Sequence, residues 1–415
     1  DFCLSRGLGD VYKRQVLSMI HGGEVRAVGV VKEGGVAAEV AKMAFGNRVG
    51  VVFDPSFLDA EKLFAPLSGS LLLQMEPGCV LPVGGILVGE TCAEPVIDLG
   101  GEKLALSELE EIWNSKLEKI FPNKAKTVEV EEDIPLTGAH STLAPAIKAA
   151  KPRVFIPVFP GTNCEYDTAR AFEKAGAETE ILVVRNLSAS AIEETIAAME
   201  KAIQKAQIIM LPGGFSGGDE PDGSGKFIAT TFRNPRIAQA VTELLEERDG
   251  LMLGICNGFQ ALIKLGLVPY GRITPPSEKA PTLTFNTLGR HVSRMAYTRI
   301  TSVRSPWMAG VEAGDVFAVP VSHGEGRFVA DEESLSRLIA NGQVATQYCT
   351  PDGKPSGSIT WNPNGSVCAI EGITSPDGRV LGKMGHSERM GQDLYKNVPG
   401  LKDQQLFASG VKYFR

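Results

Sequence analysis

The stretch Leu251–Gln260, LMLGICNGFQ, places a cysteine where a nucleophile could act. Leu251–Ile255 is a short apolar run, typical of a buried parallel strand, and helix-forming residues follow from Phe259. A nucleophile at such a strand-to-helix turn lies at the carboxyl end of a sheet, beside the free N–H groups of the new helix. Cys256 is therefore a candidate nucleophile, although an unreactive buried thiol is the commoner role of a cysteine.

A nucleophilic cysteine needs a base, and the base needs an orienting group. Two of the five histidines have a carboxylate two residues later, in His323-Gly324-Glu325 and His386-Ser387-Glu388. Each pair follows a candidate strand and could lie at the sheet edge where ligands bind. Composition does not decide between them, but Val380–Met384 is the clearer buried strand and would end directly at His386. A thiol, an imidazole and a carboxylate together can transfer acyl groups from amides.

An acyl-transfer site also needs backbone N–H groups that stabilise an oxyanion. Gly213-Gly214 follows the apolar run Ile208–Leu211 and could turn an amide towards the thiol, and the amide of Asn257 could supply a second donor. Two glycines after a strand are also common turn chemistry. The glycine-rich run 215–225 is not a phosphate loop, because it is acidic and lacks the GK[ST] ending. We expect a mobile or interface loop there.

The elements around these residues predict two domains. From residue 152 to 415, strand patterns alternate with helical ones, which predicts a doubly wound, flavodoxin-like α/β domain with shorter, partly antiparallel strands after Pro269. Residues 16–122 show a mixed pattern of strands and helices, including a helix from Ser107 with a Ser107/Glu110 capping box. Residues 123–151 are rich in charge and proline and are predicted to be a linker, with the boundary near residue 150.

The composition excludes several classes of function. Among 415 residues, 43% are hydrophobic and 22% charged, as in ordinary globular proteins. The net charge of −7 argues against a nucleic-acid-binding protein, which needs basic residues to neutralise phosphates. The seven cysteines form no CxxC pairs, and no apolar run approaches the roughly 18 residues of a membrane span. We therefore expect a cytoplasmic protein with no membrane or nucleic-acid partner and no metal site.

Residues 1–15, DFCLSRGLGDVYKRQ, match neither a secretory signal nor a convincing fold element. One choice of codons for residues 10–15 spells a transposon end used in preparing sequencing libraries. We expect these residues to be a translated adapter, with the natural chain continuing upstream. The same codons in the intact genomic locus would contradict this expectation.

Several motifs resemble known families. The chain resembles the class I, or triad, glutamine amidotransferases in three motifs: GICNGFQ at 254–260, PGGFS at 212–216 and HSER at 386–389. Three further motifs resemble the phosphoribosylformylglycinamidine synthase family, whose members are glutamine-dependent ligases of purine biosynthesis. These motifs are FPGTNCE at 159–165, SHGEGRF at 322–328 and NPNGS at 362–366. Residues 16–122 resemble the carboxyl-terminal subdomain of that family's second synthetase half, which has an α+β fold shared with aminoimidazole ribonucleotide synthetase. The motifs are GGVAAEVAKMAFGN at 34–47 and TxAEP at 91–95.

The resemblance implies a role for each candidate residue. Cys256 would be the nucleophile, His386 the base and Glu388 its orienting carboxylate, with Ser387 standing where the family has proline. The oxyanion and glutamine contacts would come from Gly213, Gly214, Asn257 and Gln260. His323 and Glu325 belong to a separate family motif, to which we assign no direct role.

The resemblance also implies the partners. L-glutamine would be the substrate of this chain, and its ammonia would pass to formylglycinamide ribonucleotide, activated by ATP and Mg²⁺. That reaction would take place mostly in a missing N-terminal synthetase region, whose ligands for ATP and metal are not in this chain. Two alternatives stay open: a glutaminase that serves another amidation pathway, and a non-catalytic docking module that keeps the cysteine turn as a packing feature.

Overall fold

The chain forms two compact units, 1–123 and 124–415, in a computed structural model. The structure describes residues 2–67, 69–128, 130, 134–215, 225–391 and 393–415, with only the backbone of residues 2–11. Most of the predicted mobile or interface loop, residues 216–224, therefore lies outside the described residues. The division between the units lies at residue 123, rather than near residue 150 as the sequence predicts.

The segment predicted to be a linker belongs to the second unit, because it packs into the core of that unit and its backbone is bonded to distant residues of the same unit. Ile134 is 4% exposed and lies in the core. The N–H of Thr137 donates to the carbonyl of Thr301 at 2.9 Å, and the N–H of Ala149 donates to the carbonyl of Phe414 at 2.8 Å. An extended segment can satisfy its backbone in this way without regular periodicity, so its sequence pattern resembles that of a free linker.

The first unit contains two small sheets and four α-helices among its described residues. Strands β1 and β3 pair antiparallel, and the second sheet has the order β4-β2-β5-β6. In chain order the elements are α1 (Phe2–His21), β1 (Val25–Val30), α2 (Gly35–Asn47), β2 (Gly50–Phe53), α3 (Ala60–Phe64), β3 (Leu71–Met75), β4 (Gly89–Cys92), β5 (Val96–Asp98), β6 (Lys103–Ala105) and α4 (Leu106–Ser115).

Two features of this unit differ from the sequence predictions. Helix α1 runs through residues 2–15, where no fold element was expected. Helix α4 begins at Leu106 with Ala105 as its N-cap, so Ser107 lies inside the helix and makes no capping box. Leu106 can begin the helix because it is fully buried in the core of the unit, and this packing outweighs the capping preference of serine.

The second unit contains a nine-stranded mixed sheet and several helices. Its elements are β7 (Arg153–Val158), α5 (Glu165–Lys174), β8 (Glu178–Val183), α6 (Ala189–Lys205), β9 (Ile208–Leu211), α7 (Lys226–Phe232), α8 (Pro235–Glu246), β10 (Leu251–Ile255), α9 (Asn257–Leu265), α10 (Leu267–Tyr270), β11 (Thr282–Phe285), β12 (Val292–Ile300), β13 (Val316–His323), β14 (Glu325–Val329), α11 (Glu332–Ala340), β15 (Val344–Tyr348), β16 (Ile370–Thr374), β17 (Val380–Lys383) and α12 (Leu406–Tyr413). Strands β11 and β14 form a separate antiparallel pair.

The large sheet has the strand order β13-β12-β15-β16-β17-β10-β9-β7-β8. The five strands from β17 to β8 are parallel, and the four strands from β13 to β16 extend them antiparallel. The predicted α/β sheet is thus confirmed in its parallel part, and the expected antiparallel strands continue the same sheet. Among the described residues, no helix has both the length and the apolar character needed to cross a membrane.

Three neighbouring parallel strands determine where the candidate residues lie. Strands β9, β10 and β17 are buried along their whole length. Their pairing aligns Gly254 with Leu211 on one side and with Gly382 on the other. Because the strands are parallel, the residues that follow each of them emerge at one edge of the sheet. Gly213, Cys256 and His386 are such residues.

Candidate active site

Cys256 lies at a strained turn between β10 and α9. Its φ is 53° and its ψ −107°, a conformation that residues other than glycine rarely adopt. The N–H of Cys256 donates to the carbonyl of Lys383 at 2.8 Å, so the turn is fixed to β17. Gly258 makes the turn possible, because a Cβ there would lie 1.9 Å from the carbonyl oxygen of Leu211. The turn therefore has the geometry of a nucleophile elbow.

His386 and Glu388 form a buried pair just beyond β17. The Nδ1 atom of His386 lies 2.6 Å from Oε1 of Glu388, and the two residues are 1% and 3% exposed. This contact places the ring proton on Nδ1 and leaves Nε2 able to accept a proton. Within the described part of the chain, Nε2 of His386 has no hydrogen-bond partner. The imidazole is thus oriented as a general base would be.

Gly213 shows how closely the cysteine and the histidine approach each other. A Cβ at Gly213 would lie 2.7 Å from Cε1 of His386 and 3.4 Å from Cβ of Cys256. One backbone position is therefore in contact with both side chains. Glycine is required there because no room exists for a methyl group.

The two expected oxyanion donors are the backbone N–H groups of Gly214 and Asn257, which directly follow Gly213 and Cys256 in the chain. Gly214 has a φ of 150°, and a Cβ there would lie 2.5 Å from the carbonyl oxygen of Gly161, so only glycine fits. Asn257 is the first residue of α9, where backbone N–H groups lack an acceptor within the helix. The positive end of the helix dipole also favours a negative charge at this end. Their role as donors stays a prediction.

Gln260 is buried, and its side chain is engaged within the protein. Its Oε1 atom accepts from Nδ2 of Asn257 at 2.9 Å, and its Nε2 donates to the carbonyl of Glu325 at 2.5 Å. These bonds connect the elbow helix to strand β14. A contact between Gln260 and a substrate stays a prediction, and it would require one of these two bonds to be exchanged.

His323 and Glu325 lie beside the elbow but do not form a second histidine–carboxylate pair like that of His386. Nδ1 of His323 lies 3.2 Å from Oδ1 of Asn286. Burial, together with repulsion from a protonated His386, lowers the pKa of His323 to about 3. His323 is therefore neutral at physiological pH. The preceding carbonyl, that of Ser322, lies 3.8 Å from Sγ of Cys256.

The charges in the site favour a protonated His386. Burial lowers the pKa of His386, but the negative charges of Glu388 and of a Cys256 thiolate outweigh this effect and hold that pKa well above its ordinary value. Burial raises the pKa of Glu388, but the His386 imidazolium and its hydrogen bond lower it overall. The site thus stabilises an imidazolium at His386, which is the state that forms when the ring takes up a proton from a neighbouring nucleophile.

Two residues that the sequence motifs did not single out also contact the site. Sγ of Cys164 lies 3.8 Å from Nδ1 of His386 and accepts from Nη2 of Arg389 at 3.1 Å. Cys164 belongs to the FPGTNCE motif, and Arg389 directly follows Glu388, so the motifs contained both residues without a role for either. Only the fold brings the start of α5 to the end of β17.

The site lies within a region that matches known proteins. A family model described as a CobB/CobQ-like glutamine amidotransferase domain matches residues 151–414. The phosphoribosylformylglycinamidine synthase subunit PurQ of Methanococcus maripaludis is 38% identical over an alignment of 281 residues that covers 63% of this chain and 97% of that relative. The subunit PurQ of Aquifex aeolicus is 35% identical over 246 residues, 59% of this chain and 93% of that relative.

The solved structure of PurLQS from Thermotoga maritima is also similar to this chain. It is 26% identical in sequence, covers 64% of this chain and 100% of that chain, and has a TM-score of 0.45.

We predict that Gly213→Ala lowers the rate at which 2-chloroacetamide alkylates Cys256 at pH 7 by about tenfold or more, because displacing a reactive group by about 1 Å has effects of this size. The new methyl group would push the His386 ring away from the thiol. The rate is measured by mass spectrometry of the peptide that contains Cys256. Gly138→Ala is the matched control, since no atom lies within 4 Å of a Cβ at that position. An unchanged rate in Gly213→Ala would contradict the close contact.

We also predict that Glu388→Gln lowers the pKa of His386, because the substitution removes the adjacent negative charge that holds this pKa above its ordinary value. The raised pKa means that the wild-type imidazolium persists to higher pH, whereas the variant loses its proton as the pH rises through a lower value. A titration of the histidine ring resonances by NMR measures both midpoints. Glu312→Gln is the control, because Glu312 pairs with a different histidine, His140, at 3.3 Å. Equal His386 midpoints in the wild type and Glu388→Gln would refute the assignment.

Proposed function

This chain belongs to the family of CobB/CobQ-like glutamine amidotransferase domains and, within it, to the PurQ subunits of phosphoribosylformylglycinamidine synthase, and we propose that Cys256, His386 and Glu388 are its glutamine-hydrolysing triad. The chain is a glutaminase component of that synthase in purine biosynthesis. The observation that carries the triad is the contact of Gly213 with both Cys256 and His386, together with the 2.6 Å contact between His386 and Glu388.

The reaction begins with transfer of the Cys256 proton to Nε2 of His386. Glu388 holds Nδ1 of the ring and stabilises the imidazolium that forms. The thiolate attacks the side-chain carboxamide carbon of glutamine, and the carboxamide oxygen becomes an oxyanion. The backbone N–H groups of Gly214 and Asn257 stabilise this charge.

The collapse of this intermediate releases ammonia. His386 protonates the departing nitrogen, and a glutamyl thioester stays on Cys256. Water then attacks the thioester, with His386 as the base, and releases glutamate. Gln260, next to the elbow, is proposed to help hold the glutamine by exchanging one of its present hydrogen bonds.

We propose that the ammonia is consumed by a synthetase region, where ATP and Mg²⁺ activate formylglycinamide ribonucleotide. The motifs at 34–47 and 91–95 and the α+β architecture of the first unit support a synthetase subdomain there. In the described part of the chain, the potential metal ligands that cluster are Cys164, His386 and Glu388. Sulfur and nitrogen ligands do not suit Mg²⁺, so no magnesium step is assigned to this chain. We propose that the protein acts in the cytoplasm.

The test uses the full 415-residue chain, alone and mixed with a synthetase region of the same family. We expect 6-diazo-5-oxo-norleucine, an electrophilic glutamine analogue, to label Cys256, and glutamine hydrolysis to be slow until the synthetase region, formylglycinamide ribonucleotide and ATP-Mg²⁺ are added. Cys256→Ser abolishes the labelling, whereas Cys92→Ser, at a half-buried free cysteine, retains it.

The outcomes separate the proposal from its alternatives. Absence of labelling in the mixture would favour a non-catalytic docking module. Labelling of Cys256, together with glutamine hydrolysis that speeds up when a different ammonia acceptor is added, would favour a glutaminase of another pathway. Formylglycinamidine ribonucleotide synthesis by the 415-residue chain alone would overturn the assignment of the ATP-dependent step to another region.

A further inference from the structure

An ion pair between Lys383 and Glu371 is completely buried next to the proposed triad. Both side chains are 0% exposed, and Nζ of Lys383 lies 3.2 Å from Oε1 of Glu371. Removing two charges from water is costly, and apolar residues of similar size often stabilise a protein as well or better. An ion pair at this position therefore suggests a purpose other than stability.

The hydrogen bonds of this pair go to both neighbours of His386. Nζ of Lys383 donates to the carbonyl of Gly385 at 2.7 Å and to Oγ of Ser387 at 3.0 Å. Oε1 of Glu371 accepts from the N–H of Gly385 at 2.5 Å. The two peptide groups of Gly385 are thus held by opposite charges, and the residue after His386 is held as well.

The backbone of Lys383 contacts the nucleophile. Its carbonyl accepts the N–H of Cys256 at 2.8 Å, at the point where Ile255 pairs with Lys383. The backbone of Lys383 therefore binds the elbow, and its side chain binds the residues before and after His386. The N–H of His386 donates to the carbonyl of Pro320 at 2.8 Å, which fixes the backbone of the histidine from a third direction.

Ser387 extends this network into the rest of the sheet. Its hydroxyl donates to Oε1 of Gln404 at 2.6 Å, and Nε2 of Gln404 donates to Oγ1 of Thr298 at 3.1 Å. A proline at position 387 would restrict the backbone through its ring but could make neither side-chain contact. In this chain the hydroxyl of Ser387 supplies the restraint through hydrogen bonds.

We propose that the Lys383–Glu371 ion pair is a positioning device that fixes the His386 imidazole relative to the Cys256 thiol. This inference rests on the proposed triad. Lys383 and Glu371 act through the backbone on either side of His386 and do not contact the substrate. Displacing a reacting group by about 1 Å can reduce a rate about a hundredfold, so contacts that hold His386 in place act on catalysis.

The test variant is Lys383→Met/Glu371→Gln, which leaves no unpaired charge and keeps an acceptor for the N–H of Gly385. We expect the alkylation of Cys256 by 2-chloroacetamide at pH 7 to slow by about 10- to 100-fold, with the change concentrated in kcat for glutamine rather than KM. The His386 ring resonance should also broaden or change its titration midpoint. Ser387→Ala, which keeps the ion pair, should produce a smaller change in the same direction.

The matched control is Arg299→Met, which removes a buried cation that donates to Oε1 of Gln347 and to the carbonyl of Ile134. It should lower Tm without changing the alkylation rate per folded molecule or the His386 resonance. If Lys383→Met/Glu371→Gln behaves in the same way as this control, the ion pair is only structural and the inference is wrong.

The same experiment separates failure of the inference from failure of the proposed function. A wild-type chain that never hydrolyses glutamine with the synthetase region, yet shows the His386 and alkylation changes in the double variant, would refute the function and keep the positioning role. A hydrolysing wild type whose double variant is equally active per folded molecule would refute the positioning role alone.

Discussion

The parallel pairing of β9, β10 and β17 is the constraint on which the site depends. Each strand ends at the same edge of the sheet, and each is followed by a residue that the site needs: Gly213, Cys256 and His386. These residues are far apart in the sequence. A change of register by one residue in any of the three strands would turn the following side chain to the other face, so the burial of the strands also fixes the geometry of the site.

Burial determines the electrostatics of the site. The charges of His386 and Glu388 are buried almost completely, and in such surroundings each charge is stable only if an opposite charge lies near it. The imidazolium of His386 and the carboxylate of Glu388 satisfy this condition for each other. The pair Lys383–Glu371 follows the same principle beside the residues that flank His386, with Glu371 from the antiparallel half of the sheet and Lys383 from the parallel half. The antiparallel strands thus give the site a support that the parallel strands alone do not provide.

The sequence by itself determined the elements whose local pattern is strong. The apolar runs Ile208–Leu211 and Leu251–Ile255 are strands with those bounds, and Ser188, a residue type that often caps helices, caps helix α6. The glycines on either side of Cys256 indicate an elbow from the local sequence alone. Local patterns carry this information because strand burial and helix capping depend on neighbouring residues.

Only the tertiary structure decided which distant residues meet. It placed Cys164 beside His386, assigned residues 124–151 to the second unit, and united the antiparallel strands with the parallel ones in one sheet. It also revealed the buried partner of Lys383. These facts depend on contacts between residues far apart in the chain, and no local periodicity records such contacts, because the free energy that forms them comes from burial in the complete fold.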